Sequence, residues 1–204
     1  MNETASHLST PLQTILRAVI FMVMLHVLPS VATDGFIPPP TLLHDGKTYT
    51  LAHQAQSGQH YFQYEYTTNG EPIERWSSLV TLTYLRNAAP SPQQWTETTA
   101  RAFQLIQPKP FFTTFVENGH GYAMVLFPPG NGFPDFESDI QKSYHIAHCL
   151  GTVTYQFGVK RSGRSELAGD QAAYQTYFKT LVDENIALAE AARAMDWQPN
   201  CTTE

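Results

Sequence analysis

The sequence predicts an α+β fold: a single domain with a mainly antiparallel sheet, one mid-chain helix and a long C-terminal helix packed on one face. Three observations predict it. Short segments rich in aromatic and β-branched residues follow one another through tight turns, as antiparallel strands do. One stretch between them opens with a helix-capping pattern, and the alanine-rich end of the chain carries apolar residues at helical spacing.

The N-terminal segment reads as a targeting signal rather than as part of the fold. Arg17 precedes an apolar run of eleven residues, Ala18 to Leu28, interrupted only by His26. A helix needs about 17–25 apolar residues to span a bilayer, so this run is too short for an anchor and suits a signal-peptide core. Pro29 and Ser30-Val31-Ala32 follow, with small residues at the two positions a signal peptidase reads. Residues 1–32 are therefore expected to be a cleaved signal peptide, leaving 204 − 32 = 172 residues outside the cytoplasm, periplasmic or secreted, with no stable membrane insertion after cleavage. That length fits one domain.

Residues 33–46, with Pro38-Pro39-Pro40, are expected to form an extended tether, and 47–204 the single domain. Lys47 to Ala52 and His60 to Tyr66 read as strands joined at Gln56-Ser57-Gly58, the second alternating Phe62, Tyr64 and Tyr66 against Gln63 and Glu65. After a turn at Asn69-Gly70, Leu79 to Leu85 has the composition of a central strand buried on both faces. Ser91-Pro92-Gln93-Gln94 starts a helix, because the serine hydroxyl reaches the free amide of Gln94 and the glutamine reaches back. Trp95, Thr99, Ala102, Phe103 and Ile106 form its apolar stripe, and Pro108 ends it.

Phe111 to Val116 and Tyr122 to Phe127 read as a hairpin around Asn118-Gly119-His120-Gly121, with a loop at Pro128 to Gly132. Ile140 to Cys149 fits either a helix or a strand, whereas Val153, Tyr155, Phe157 and Val159 alternate as a strand. Asp170 is an N-cap for a helix reaching about Met195, with Tyr174, Tyr177, Phe178, Leu181, Leu188 and Ala192 on one side. In an oxidising compartment the two cysteines, Cys149 and Cys201, read as a disulfide across 201 − 149 = 52 positions.

Charge narrows the partners. The chain carries −6, and the leader removes one acid, Glu3, and one base, Arg17, so the domain keeps −6 and is a poor partner for nucleic acid or anionic membrane. No residue pattern calls for a cofactor. His145 and His148 with Cys149 are weak metal-ligand candidates, since the histidines share a face only on a helix and no second cluster completes a site. His120 is expected in a solvent-exposed turn. Glu71 with Glu74, and Asp135-Glu137-Asp139, are the dense acidic groups; the second lacks the glycine and final glutamate of a calcium loop and reads as a solvated patch. The aromatic face of Phe62, Tyr64 and Tyr66 is explained by core packing.

The most distinctive stretch is Gly70-Glu71, Trp76 and Leu79-Val80-Thr81, a turn that delivers a tryptophan to the core edge ahead of a buried strand. With an aromatic strand before it and a helix after it, Lys47 to about Lys160 resembles small exported proteins of unknown function in Gram-negative bacteria. That resemblance implies an envelope location and a similar α+β domain, and it supplies no catalytic residues. Two functions are then expected to compete. One is a non-enzymatic protein-binding module, immunity or inhibitor-like, whose partner is another envelope protein and whose interaction or packing residues include Tyr64, Glu71 and Trp76. The alternative is an envelope hydrolase with a site assembled from scattered residues such as Glu71, His120 and His145.

Overall fold

A computed structural model describes residues 35–130, 132–146, 150–167 and 169–201. The expected signal peptide, His148 and Cys149 lie outside them. The described chain is α+β. Strands β1 (Phe36–Ile37), β2 (Thr41–His44), β3 (Lys47–Ser57), β4 (Tyr61–Thr68) and β5 (Ser78–Arg86) precede helix α1 (Pro92–Gln104). They are followed by β6 (Phe111–Glu117), β7 (His120–Phe127), β8 (Phe136–Ile146), β9 (Gly151–Arg161), helix α2 (Gln171–Ala194) and β10 (Asn200–Cys201).

Eight strands form one antiparallel sheet in the order β2-β3-β4-β5-β9-β8-β7-β6, and β1 pairs with β10 in a separate ribbon. Within the eight-stranded sheet, the one non-sequential pairing among the described residues, β5 with β9, joins the N-terminal meander to the C-terminal one. The sheet is curled. β2 and β9 are four inter-strand steps apart in the order, about 19 Å in a flat sheet. Yet His44 Nδ1 lies 2.8 Å from the Tyr155 hydroxyl, and the His44 ring stacks 3.8 Å from that of Phe157. The β2 edge therefore folds back over the face that carries the main core.

That face holds Phe62, Tyr64 and Tyr66 of β4, Val80, Leu82 and Tyr84 of β5, and Val153, Tyr155 and Phe157 of β9, with Phe36 and Trp197 packed on them. The two helices take opposite faces of β7. α1 covers Ala123 and Val125 with Trp95 and Phe103, joined by Ile106 just past its end, whereas α2 covers Leu126, Phe136 and Ile140 with Leu181, Ala189 and Ala192. Both caps read from the sequence form: Ser91 and Gln94 make the reciprocal capping box, and the Asp170 carboxylate accepts from the Ala173 amide.

Two local expectations are corrected, and one open alternative is resolved over the described residues. Of the expected tether 33–46, the described part, 35–46, is no tether, because β1 and β2 fall within it and Phe36, Leu42 and His44 are buried; the domain has begun by Phe36 rather than Lys47. Pro38 and Pro39 carry no regular structure and the chain bends at Pro40, linking two strands whose inward residues alternate. His120 is not a turn residue: the hairpin closes through Asn118 and Gly119 alone, both with positive φ, as a two-residue turn requires, so His120 begins β7. Ile140 to Ile146 is strand, with Ile140, Lys142 and Tyr144 inward.

Candidate functional site on the polar sheet face

The face of β4, β5, β9 and β8 opposite the main core is built from amides, carboxyls and hydroxyls. Cross-strand pairing aligns Glu65 with Thr81, Thr81 with Gln156, and Gln156 with Gln141. The strand period of two places Tyr61 and Gln63 on the same face as Glu65. A bulge brings in the histidine. Leu51 opposes Tyr66 on the core face, but the register shifts between Leu51 and His53, so His53 opposes Glu65 on the polar face.

The resulting side chains form two chains of hydrogen bonds. In the first, the Tyr61 hydroxyl donates to Gln63 Oε1 at 3.1 Å, Gln63 Nε2 donates to Glu65 Oε1 at 3.0 Å, and His53 Nδ1 meets Glu65 Oε2 at 3.0 Å. Glu65 is buried, while His53 is 30% exposed. Burial pushes the Glu65 carboxyl above the usual range, opposed by the charge of His53 and by the hydrogen bonds from His53 and Gln63. With Nδ1–H donated to the carboxylate, Nε2 of His53 is the nitrogen left to accept a proton.

In the second chain, Gln141 Nε2 donates to Gln156 Oε1 at 3.1 Å and Gln156 Nε2 donates to Asp139 Oδ2 at 2.8 Å. Asp139 is buried, and its other oxygen, Oδ1, has no hydrogen-bond partner. Burial, then the neighbouring Glu137 charge and hydrogen bond, hold the Asp139 carboxyl well above its ordinary range. Gly158 makes room for it: a Cβ there would lie 2.7 Å from Asp139 Oδ1 and 3.5 Å from Trp76 Cη2. The Lys160 ammonium sits 4.0 Å from the centre of the Trp76 ring. The acidic run is therefore not solvated throughout: Asp139 points into this packed corner, while Asp135 and Glu137 are half-buried.

The sequence-nominated residues lie apart from the His53–Glu65 pair. The Glu71 carboxylate accepts from the Ser77 amide at 2.7 Å and the Ser77 hydroxyl at 2.6 Å, closing the loop that seats the buried Trp76. Tyr64 lies on the core face, 5.9 Å from the Phe36 ring. His120 Nδ1 bonds the Ser143 carbonyl at 2.9 Å and its ring meets Tyr144 at 5.0 Å. His145 is exposed on β8. Among the described residues no contact joins Glu71, His120 and His145, and no group of three or more His, Cys, Asp or Glu is placed to hold a metal. Cys201 is buried in β10, paired with Phe36 of β1.

A family model describing an uncharacterised family matches residues 36–197, from β1 through Trp197. The chain belongs to that family. No curated protein and no solved structure matches it. The family match takes in both hydrogen-bonded chains of the polar face, the proline segment ahead of Lys47, the whole eight-stranded sheet and both helices.

Proposed function

We propose that this chain is exported to the cell envelope, periplasmic or secreted, and acts there as a non-enzymatic binding module, immunity or inhibitor-like, that recognises another envelope protein through the polar sheet face. One observation carries the reading: on a sheet with the main core on its other side, two hydrogen-bonded chains bring the half-buried His53, Gln141 and Gln156 to the polar face, with His53 held in place by the buried Glu65 and Gln63 beneath it. Such a surface presents fixed donors and acceptors without having to be ordered on binding, which lowers the entropic cost of recognition. The −6 net charge favours a basic partner surface. Capture of the tagged protein from its own periplasm at low salt tests this. The wild-type chain is expected to retain one stoichiometric protein, and His53→Ala to reduce retention by about tenfold, the loss of one good interfacial hydrogen bond. An empty wild-type capture, or one indifferent to His53, removes the support.

The His53–Glu65 pair also favours a second reading, an envelope hydrolase in which His53 Nε2 takes a proton from water while Glu65 orients the imidazole. Hydrolysis of a panel of esters, amides and glycosides, abolished by both His53→Ala and Glu65→Gln, is the outcome it requires. Activity untouched by either change rules it out.

A further inference from the structure

The sheet ends at β6, and this edge is built unlike an edge that stays free. Protein edge strands are commonly blunted by charge, proline or a bulge, or are kept very short. At the other end, β2 is four residues long. β6 is seven residues, Phe-Phe-Thr-Thr-Phe-Val-Glu, with no charge, proline or glycine before its last position, and it pairs only with β7. Around it lie large exposed apolar side chains: Phe111 is 63% exposed and Val116 44%.

The hairpin fixes which backbone groups face outward. In a two-residue hairpin the flanking pair, Glu117 and His120, exchanges both hydrogen bonds, so Phe115, Thr113 and Phe111 also point their N–H and C=O groups at β7. The outward groups belong to Phe112, Thr114 and Val116. Among the described residues none of these has a partner within the chain beyond β7. Their spacing is symmetric about Thr114, which is what a two-fold antiparallel pairing of identical strands needs.

The geometry points to a homodimer in which β6 pairs antiparallel with β6 of a second copy of this chain, with the two-fold axis at Thr114. Thr114 then exchanges hydrogen bonds with Thr114 of the partner subunit, and Phe112 with Val116 of the partner subunit. The side chains agree with that register. Val116 is covered by Phe112 of the partner subunit on the α1 side. On the α2 side Phe111, which already touches Phe178 at 4.8 Å, is set opposite Glu117 of the partner subunit. Glu117 is held 2.9 Å from Arg193, whose guanidinium lies 4.6 Å from the Phe115 ring, so a cation stands ready beside the incoming aromatic. Lys109, exposed two residues before Phe111, comes diagonal to Glu117 of the partner subunit. Both ends of the interface repeat this opposite-charge match, which a second copy supplies automatically.

This inference is independent of the polar face. Sedimentation velocity on the purified protein across a concentration series is expected to show a reversible dimer. Thr114→Pro removes the central outward N–H in both copies while leaving the bonds to β7 intact, and should weaken association by roughly tenfold or more with unchanged circular dichroism. Lys109→Glu, outside the strand and harmless to the fold, should weaken it severalfold and is the deciding variant if Thr114→Pro fails to fold. A wild-type protein that stays monomeric throughout, or a dimer that neither change affects, overturns the proposal.

Discussion

The Lys142 ammonium, buried beneath the C-terminal end of α2, donates to the Met195 carbonyl at 3.2 Å and to the Ala192 carbonyl at 3.4 Å. It also lies 5.2 Å from the Tyr144 ring centre. A helix leaves its last carbonyls unpaired and its C-terminus partly negative, so a lysine rising from the sheet caps α2 from within the core. Lys142→Met keeps most of the stem's packing and strands those carbonyls. The variant should lose about 1–3 kcal/mol in urea unfolding and show faster amide exchange in the last turn of α2. Unchanged stability would mean that water caps the helix equally well.

The corner at Asp139 makes two opposite demands. Gly158→Ala places a methyl 2.7 Å from Asp139 Oδ1, and Asp139 is buried too firmly to retreat, so the substitution should cost about 1–3 kcal/mol. Asp139→Asn should do the reverse. The folded carboxyl titrates above its unfolded value, so its ionisation destabilises the fold as pH rises through and beyond 3.8, a penalty the amide escapes while still accepting from Gln156. The variant is expected to gain stability over wild type at pH 7, with the gain shrinking toward pH 3. A constant difference across that range would show that Asp139 ionises freely in the fold.

How much of this was legible in the sequence depended on the range of the interaction. The Ser91 box and the Asp170 cap are encoded within four residues and were readable. So was the Tyr61 to Tyr66 alternation that puts Glu65 and Gln63 opposite the aromatics. His53 was not, because only the bulge after Leu51 turns it toward Glu65, and bulges leave no periodic signal. The strand from Ile140 was obscured by Lys142, a cation at an inward position whose reason, the end of α2, lies 50 residues away. Composition misled at Pro38 to Pro40, because the burial of Leu42 and His44 against distant strands leaves no local signal.

The β2 fold-back rests on an imidazole that must stay neutral. His44 stacks on Phe157, touches Tyr49 edge-on and bonds Tyr155; burial lowers its pKa below 6.5, Lys47 adds to that, and Asp45 opposes it. The unfolded chain therefore takes up the proton first, and stability falls as pH drops below about 6.5 toward the folded value. Glu65 and Asp139, whose folded pKa values are raised, titrate with the opposite sign, so the comparison needs a variant. His44→Phe retains the stacking and leaves the Tyr155 hydroxyl unpaired. It should be about 1–3 kcal/mol less stable than wild type at pH 8, with the gap narrowing at pH 5. A gap independent of pH would show that His44 does not titrate between these values.

The expected link between Cys149 and Cys201 gains a geometric argument from Tyr84. Cys201 pairs with Phe36, whose ring is 5.9 Å from that of Tyr84. A Cβ at Gly35 would meet the Tyr84 hydroxyl at 2.5 Å, and one at Gly151 would meet its ring at 2.8 Å. The C-terminal ribbon and the start of β9, two residues after Cys149, thus converge on one side chain. A bridge there would tie the β1–β10 ribbon to the β8–β9 connection and, by the entropy of closing a loop of this length, contribute about 4 kcal/mol. Intact mass with and without reductant, followed by peptide mapping, should find the two cysteines joined, and Cys201→Ser should unfold at markedly lower urea. Rapid alkylation of both thiols in protein recovered from an oxidising compartment would rule the bridge out and leave the ribbon held by its β1–β10 pairing and by Phe36 and Trp197 packing.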